Sequence, residues 1–223
     1  MIDGEEPYLL MGFKPGVQKE NFRRAVTEQD IPAMVDMLHR VPVEAGDAYF
    51  IPGRFPHAIG SGVFLLEVQE PTDWVVQPER LVGRTELTDS DMWGPLTPEL
   101  GLDCFDYDTA DTVEATLDRI RLRGMGLAEE EGGTAERLVG PSVTDCFRVD
   151  RLAIKTEMEY ALDAPYQIAI VTEGRGELDA GDAMVRVRRG DTLFLPHRIR
   201  SFHCKAVGAP LRLFVITCPG AAA

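Results

Sequence analysis

The 223-residue sequence predicts an all-β protein made of two related β units, with a small helical insertion and a partly helical connecting segment. Short apolar runs bounded by glycine turns recur in both halves, a pattern typical of β-sandwiches and barrels. VEAGDAYFIP at 43–52 and VRRGDTLFLP at 187–196 share a Gly-Asp turn, four mostly apolar residues and a proline. This internal repeat indicates duplication of one β unit.

Composition limits the partners that we expect. The net charge is −14, with 37 acidic against 23 basic residues, so nucleic acid and anionic membranes would repel the chain. No apolar run approaches the roughly 18 residues of a membrane span, and no secretory signal precedes the first strand, so we expect a cytoplasmic protein. The four cysteines are scattered without a C-x-x-C pair, which predicts free thiols.

The N-terminal elements have distinct signals. PYLLMGF at 7–13 predicts a strand. Phe22, Ala25 and Val26 then recur at helical spacing. Asp30 stands where it would cap a second helix over DIPAMVDMLHRV, whose proline falls in the first turn. Two short helices inserted into a β unit are therefore expected.

From residue 41 the pattern changes to that of strands. VPVEAGDAYFIP contains a turn followed by an apolar run. GVFLLEVQE at 62–70 alternates, with Phe64, Leu66 and Val68 on one face. We expect both stretches to be strands that share a sheet.

The second half predicts a helix, a loop and then a run of strands. DTVEATLDRIRLRGMG predicts the helix and AEEEGGTAER the charged loop. The strands expected after residue 145 are CFRVDRLAI, YQIAIVTEG, GELDA, AMVRVRRGD, TLFLP and LRLFVITC. We therefore expect a first β unit at 1–95 with a helical insertion at about 17–40, a linker with a helix at 96–144, and a second β unit at 145–223.

The stretch around His57 carries a resemblance to a known family. Its GD-x4-P-x4-H pattern resembles the second conserved motif of the cupins, which are small jelly-roll barrels. VPVEAGDAYFIPGRFPHAIGSGVFLLEVQEPTD at 41–73 resembles the type I mannose-6-phosphate isomerases, and LLMGFKP and GLDCFDY on either side are also similar. The resemblance covers most of residues 7–110 and is weaker over 145–220. It implies two cupin barrels, the first of them N-terminally incomplete.

The resemblance implies a zinc-dependent interconversion of mannose 6-phosphate and fructose 6-phosphate. His57 matches a metal ligand of the family, Glu67 matches an active-site glutamate and is a second ligand candidate, and Asp73 matches the proton-transfer region. The family's other three ligands lie in Q-x-H-P and K-P-E motifs, and neither motif occurs in this chain. Gln77 stands where the family usually has an arginine.

An aldose–ketose isomerase also needs acid–base and phosphate-binding groups. A carboxylate must move a proton between C1 and C2, which makes Glu67 and Asp73 the candidates. Basic side chains must hold the phosphate, and Arg54, Arg80 and Arg84 are close in sequence. A sugar phosphate is the partner that these residues imply.

Ordinary structural roles compete with each assignment. His57 is also explained as a polar residue at a strand end, Glu67 as a solvated strand residue, and Asp73 as a turn cap. The alternative function is a non-catalytic cupin that binds a sugar, a sugar phosphate or a partner subunit; a further alternative is a remnant of a longer isomerase. The second unit lacks a histidine pair and is expected to hold no metal. An unpaired strand edge in the first unit predicts a homo-oligomer.

Overall fold

The computed structural model describes residues 6–70, 72 and 74–218. The chain divides into two compact units, Met1–Arg121 and Leu122–Ala223. Among the described residues strands outnumber helices and supply most of the core of the second unit, so the all-β class is confirmed. None of the described helices has the length and apolar character that crossing a membrane requires.

The first unit combines short strands with five short helices. The three-stranded antiparallel sheet has the order β2-β1-β3, and β4 and β5 form a separate hairpin. In chain order the elements are β1 (Tyr8–Phe13), α1 (Lys19–Glu28), α2 (Ile31–Asp36), β2 (Leu38–Pro42), β3 (His57–Ile59), β4 (Leu81–Val82), β5 (Thr85–Glu86), α3 (Asp89–Trp93), α4 (Pro98–Asp103) and α5 (Val113–Ile120).

The two predicted N-terminal helices are confirmed as α1 and α2. The apolar stripe of α1, Phe22, Ala25 and Val26, is buried, and the Phe22 ring meets Phe13 of β1 edge to face with centroids 5.0 Å apart. Asp30 caps α2 by accepting a hydrogen bond from the backbone N–H of Ala33 at 3.1 Å. The helical stripe therefore packs against the first strand.

The second helix is shorter than its sequence pattern predicts. It ends at Asp36, and LHRVP forms β2, which pairs with β1 along its whole length. His39 and Val41 are buried while Arg40 between them is exposed. This alternation has the period of a strand, and pairing with β1 satisfies the backbone there.

The strand predicted over GVFLLEVQE is wrong. Residues 63–70 have no regular secondary structure, and the Phe64 side chain is 80% exposed. A strand needs a neighbouring strand for its backbone hydrogen bonds, and the described sheets contain none that pairs with this segment. In the described residues the first unit has a three-stranded sheet and a hairpin, so the two-barrel detail remains a prediction.

The second unit is a sandwich of two antiparallel sheets. A six-stranded sheet has the order β13-β10-β15-β8-β7-β6, and a four-stranded sheet has the order β12-β11-β14-β9. Its strands are β6 (Met125–Glu130), β7 (Gly133–Val139), β8 (Arg148–Ile154), β9 (Glu157–Ala161), β10 (Tyr166–Glu173), β11 (Arg175–Asp179), β12 (Met184–Arg188), β13 (Thr192–Pro196), β14 (Ser201–Ala206) and β15 (Leu211–Thr217).

The apolar core of the second unit lies between the two sheets. On β8, Leu152 and Ile154 face inward, and on β15 Leu211, Leu213 and Val215 do so; all five are fully buried. Each fully buried side chain of this size contributes roughly 1.5–3 kcal/mol. The period-two pattern of these runs therefore supplies the core, as the sequence predicts.

Six of the ten strands in this unit were expected from the sequence, and four were not. The charged loop predicted over AEEEGGTAER is wrong, because this stretch forms most of the β6–β7 hairpin. The other two missed strands are β9 and β14. In β9 only Met158 is large, apolar and fully buried, while Glu157 and Glu159 beside it are exposed. A single buried side chain on β9 is too weak a periodic signal to predict a strand.

Residues 96–144, expected as a linker with a helix, divide between the two units. The predicted helix is present as α5 but ends at Ile120, and the end of the predicted stretch begins β6; α5 belongs to the first unit together with α4. The β6–β7 hairpin belongs to the second unit and extends its larger sheet. The two helices of this stretch therefore belong to the first unit, and its two strands belong to the second.

Candidate functional site

His57 lies at the start of β3, the short strand that borders β1. Met11 of β1 is its partner across the ladder. The chain is fixed on both sides of this strand, because the Gly12 N–H donates to the Pro56 carbonyl at 2.8 Å and the Gly60 N–H donates to the Tyr8 carbonyl at 3.0 Å. The backbone of His57 therefore has a defined position even though the side chain is exposed.

The His57 imidazole is held in one tautomer. Its Nδ1 lies 3.0 Å from the Phe55 carbonyl oxygen, which can only accept, so Nδ1 carries the proton. Nε2 then keeps its lone pair and has no hydrogen-bond partner among the described residues. A neutral imidazole oriented in this way is suited to bind a metal or accept a proton.

A second histidine, His39, lies in the same row of the sheet. Met11 is opposite His39 on one side and His57 on the other, so the three side chains share one face. His39 is buried and its Nε2 lies 2.7 Å from the Asp111 carbonyl oxygen. From the sequence, His39 was placed in the second predicted helix and was assigned no functional role. The signal that reveals it is the alternating pattern of LHRVP.

Arg54 connects the loop before His57 to the segment after α4. Its φ is +70°, an uncommon conformation for a residue other than glycine. Its Nη2 donates to the Phe105 carbonyl at 3.2 Å, and its own carbonyl accepts from the Asp106 N–H at 2.9 Å. The Thr109 hydroxyl, with a smaller effect from Arg54, lowers the pKa of Asp106. Arg54 therefore helps to position the His57 segment.

The two other candidate phosphate-binding arginines lie on the β4–β5 hairpin and differ in their contacts. Arg80 donates to the Leu87 carbonyl at 3.0 Å and to the Asp89 carboxylate at 2.5 Å, and its backbone N–H donates to Gln29. Arg84 is exposed in the turn of the hairpin and makes no hydrogen bond or ion pair among the described residues. Arg80 anchors the hairpin, whereas the guanidinium of Arg84 is available to a ligand.

The two carboxylates expected in the site fall in or near the irregular segment after β3. Glu67 is exposed on a stretch without regular structure. Asp73 lies outside the described residues. The backbone N–H of Gln77 donates to the Met92 carbonyl at 2.8 Å, which ties the end of this segment to α3. Among the described residues, His57, Glu67 and the three arginines share no hydrogen bond or ion pair with one another.

Asp47, the aspartate of the Gly-Asp turn, organises a small polar cluster. Its carboxylate lies 3.1 and 3.2 Å from Nη2 of Arg121 and accepts a hydrogen bond from the Tyr49 hydroxyl at 3.2 Å. Burial raises the pKa of Tyr49, and Asp47 adds to that effect while Arg121 opposes it. Asp47 is therefore a structural residue that fixes the chain leading to His57.

The described residues do not fit a catalytic zinc ion. Such a site normally has three protein ligands that converge on one point. Among the described positions no group of three or more histidine, cysteine, aspartate or glutamate side chains is arranged to hold a metal. Of the two ligand candidates, His57 and Glu67, only His57 has a side chain oriented by a hydrogen bond among the described residues, and we derive no reaction step through zinc.

Comparison with known proteins relates both halves of the chain to one group. Residues 140–215 match the family model described as "Mannose-6-phosphate isomerase, cupin domain". The mannose-6-phosphate isomerase of Streptococcus mutans is 27% identical over 82% of this chain and 52% of its own length. The mannose-6-phosphate isomerase ManA of Bacillus subtilis is 22% identical over 80% of this chain and 54% of its own length. The chain thus spans about half the length of these relatives.

A solved structure shows the same fold. The crystal structure of the mannose 6-phosphate isomerase from Bacillus subtilis superposes with a TM-score of 0.72, at 21% identity, over 96% of this chain and 61% of that one. At this identity the superposition is informative about the fold.

Proposed function

Because this chain is a cupin protein of the mannose-6-phosphate isomerase family, we propose that it binds hexose 6-phosphates and takes part in interconverting mannose 6-phosphate and fructose 6-phosphate. The observation that carries the proposal is the His57 imidazole. It lies in the HAIG stretch, and its bond to the Phe55 carbonyl directs the proton to Nδ1 and leaves Nε2 as an exposed lone pair. We propose that Nε2 is the point at which this chain engages the substrate oxygens or a metal that holds them.

The other roles follow from residue chemistry. Arg84 has an exposed guanidinium without a protein partner in the described chain, so we propose it as the main phosphate contact, with Arg54 as the second. Arg80 was a candidate for the same role, but its side chain holds the hairpin that carries Arg84. We propose Glu67 and Asp73 as the carboxylates that move the proton between C1 and C2.

The family's need for a zinc ion limits the isomerase activity that we expect of the isolated chain. With His57 as the single well-oriented ligand candidate, the described residues bind zinc weakly. We therefore propose that the isolated chain binds hexose 6-phosphate with little or no isomerase turnover, even when zinc is supplied. The lack of a three-ligand group among the described residues also supports the second candidate, a non-catalytic sugar-phosphate-binding cupin. A cytoplasmic location and self-association are part of the proposal.

The test combines binding and turnover. We expect calorimetry to detect mannose 6-phosphate binding and a coupled assay of fructose 6-phosphate formation to show little activity with or without zinc. His57→Ala should weaken binding at this site. His203→Ala is the control, because His203 is an exposed histidine of β14 with only a 3.9 Å contact to Glu157. Robust turnover that is lost in His57→Ala would show a complete isomerase site, and unchanged binding in that variant would remove His57 from the site.

A further inference from the structure

The second unit has a groove at one end of the sandwich where three β-turns meet. The groove has a volume of ≈ 510 Å³ and is lined by Gly174, Arg175, Arg188, Arg189, Val207, Gly208 and Ala209. The turns join β10 to β11, β12 to β13 and β14 to β15. A cavity of this size is within the range of small-molecule sites. Three arginines around one groove are notable in a chain with a net charge of −14.

The turns that build the groove are fixed to one another through their backbones. The Arg189 N–H donates to the Gly174 carbonyl at 2.9 Å, and the Val207 N–H donates to the Arg175 carbonyl, also at 2.9 Å. Nε of Arg175 lies 3.4 Å from the Val207 carbonyl oxygen, which directs this guanidinium along the third turn. The groove is therefore organised before any ligand arrives, which lowers the cost of ordering on binding.

Two of the arginines face each other across a strand pair. Arg175 of β11 and Arg188 of β12 are direct cross-strand partners. Like charges in this arrangement destabilise a sheet. The next pair on the same face, two residues along each strand, is matched instead, because Glu177 of β11 lies opposite Arg186 of β12 and their side chains form an ion pair at 3.4 Å. Strands β11 and β12 thus carry an ion pair at one position and two facing positive charges at the other.

The acidic side chains in the same turns do not neutralise this pair. Glu173 forms its ion pair with Arg212 at 3.2 Å. The carboxylate of Asp191 accepts the backbone N–H of Arg188 at 2.9 Å. Among the described residues, neither Arg175 nor Arg188 forms an ion pair with a carboxylate. The charges of Arg175 and Arg188 are therefore not balanced by the carboxylates of these turns.

We propose that this groove binds the phosphate group of a small phosphorylated molecule. Guanidinium groups bind phosphate through paired N–H donors, and those of Arg175 and Arg188 together match a dianion with several acceptor oxygens. Space remains in the groove for an organic portion, for which Val207 and Ala209 provide apolar contacts. Inorganic phosphate and a hexose 6-phosphate share the chemistry that the arginines recognise. This site belongs wholly to the second unit and does not depend on His57.

The test uses the full chain carrying His57→Ala and Arg84→Gln, so that the proposed phosphate contact and the histidine of the first-unit site are both removed. Calorimetric titrations with inorganic phosphate, a hexose 6-phosphate and the unphosphorylated hexose are compared. We expect both phosphates to bind, with an affinity that falls as salt rises, and the free hexose not to bind. Tighter binding of the hexose phosphate would identify a phosphorylated sugar as the ligand, and equal binding would identify free phosphate. Both results support the site.

Two variants on β12 distinguish phosphate binding in the groove from a general effect of surface charge. Arg188→Gln should weaken phosphate binding by about tenfold or more, the loss expected for a charged hydrogen bond. Arg186→Gln is the matched control, because Arg186 lies on the same strand but outside the groove, and it should bind as the parent does. Without phosphate, Arg188→Gln should melt no lower than the parent, since it relieves a repulsion. No phosphate binding by the parent, equal effects of the two variants, or binding of the free hexose would overturn the proposal.

Discussion

Asp47 and Asp191 make the same hydrogen bond in two different units of the chain. The Asp47 carboxylate accepts the backbone N–H of Glu44 at 3.1 Å, and the Asp191 carboxylate accepts the backbone N–H of Arg188 at 2.9 Å. In each turn the preceding glycine has a positive φ, 103° at Gly46 and 93° at Gly190. The repeat read from the sequence is therefore a repeated turn, in which an aspartate closes a bend that glycine permits.

Gly60 holds β1 and β3 together through close approach of two backbones. A Cβ atom on Gly60 would lie 2.5 Å from the Tyr8 carbonyl oxygen, so Gly60→Ala must separate the strands. We expect a loss of about 1–3 kcal/mol in the free energy of unfolding and faster amide exchange in β3. Urea titration and hydrogen exchange measure both. Gly53→Ala is the control, because a Cβ there meets nothing within 4 Å, and it should change stability by no more than about 1 kcal/mol.

Asp150 is a fully buried carboxylate of the second unit. It accepts hydrogen bonds from Arg137 at 2.8 and 3.1 Å and from the Tyr160 hydroxyl at 2.6 Å. Burial, followed by the bond to Asp150, raises the pKa of Tyr160. Asp150→Asn should lower the free energy of unfolding by about 3 kcal/mol, because it leaves Arg137 without its counter-charge.

Chemical denaturation tests the Asp150 prediction. Asp182→Asn is the control, because the Asp182–Arg198 contact is 3.6 Å long and both side chains are exposed. We expect that control to stay within about 0.5 kcal/mol of the parent. A loss below about 1 kcal/mol in Asp150→Asn would mean that the cluster contributes little to stability.

Asp163 gives the second unit a defined pH dependence. The guanidinium of Arg148 donates to both Asp163 oxygens and lowers the pKa of this carboxyl from its ordinary value of 3.8. A lowered pKa means that the folded state binds the proton less tightly than the unfolded state. The stabilising contribution is therefore fully present above about pH 4 and is lost as the pH falls through the folded-state value.

The Asp163→Asn variant measures this contribution. The difference in free energy of unfolding between parent and variant should be largest at neutral pH and should vanish in acid, where the parent residue is itself neutral. Asp182→Asn, an exposed carboxylate with a longer ion pair, should show a smaller difference. A constant difference across the pH range would assign the effect of Asp163→Asn to packing rather than charge.

The local pattern of apolar residues was sufficient to predict much of the fold. The periods of α1 and of the apolar runs on β8, β10 and β15 are strong because each run presents several buried side chains to one core. Patterns with one buried residue, as on β9, or with charged residues on both faces, as on β6, were missed. On β6 and β9, pairing with a neighbouring strand overrides the local strand propensity. The sequence of one strand does not specify that pairing.

For the sites, the sequence by itself determined which residues have the chemistry, and the tertiary structure decided which of them have the geometry. The HAIG stretch identified His57, but only the structure supplies the bond to the Phe55 carbonyl that orients its ring. The sequence does not distinguish Arg80 from Arg84 as a phosphate contact, but in the structure Arg80 forms an ion pair with Asp89. The arginine groove could not be predicted from the sequence, because the three turns that form it are far apart along the chain. Strand order brings them together, and strand order depends on contacts between residues far apart in sequence.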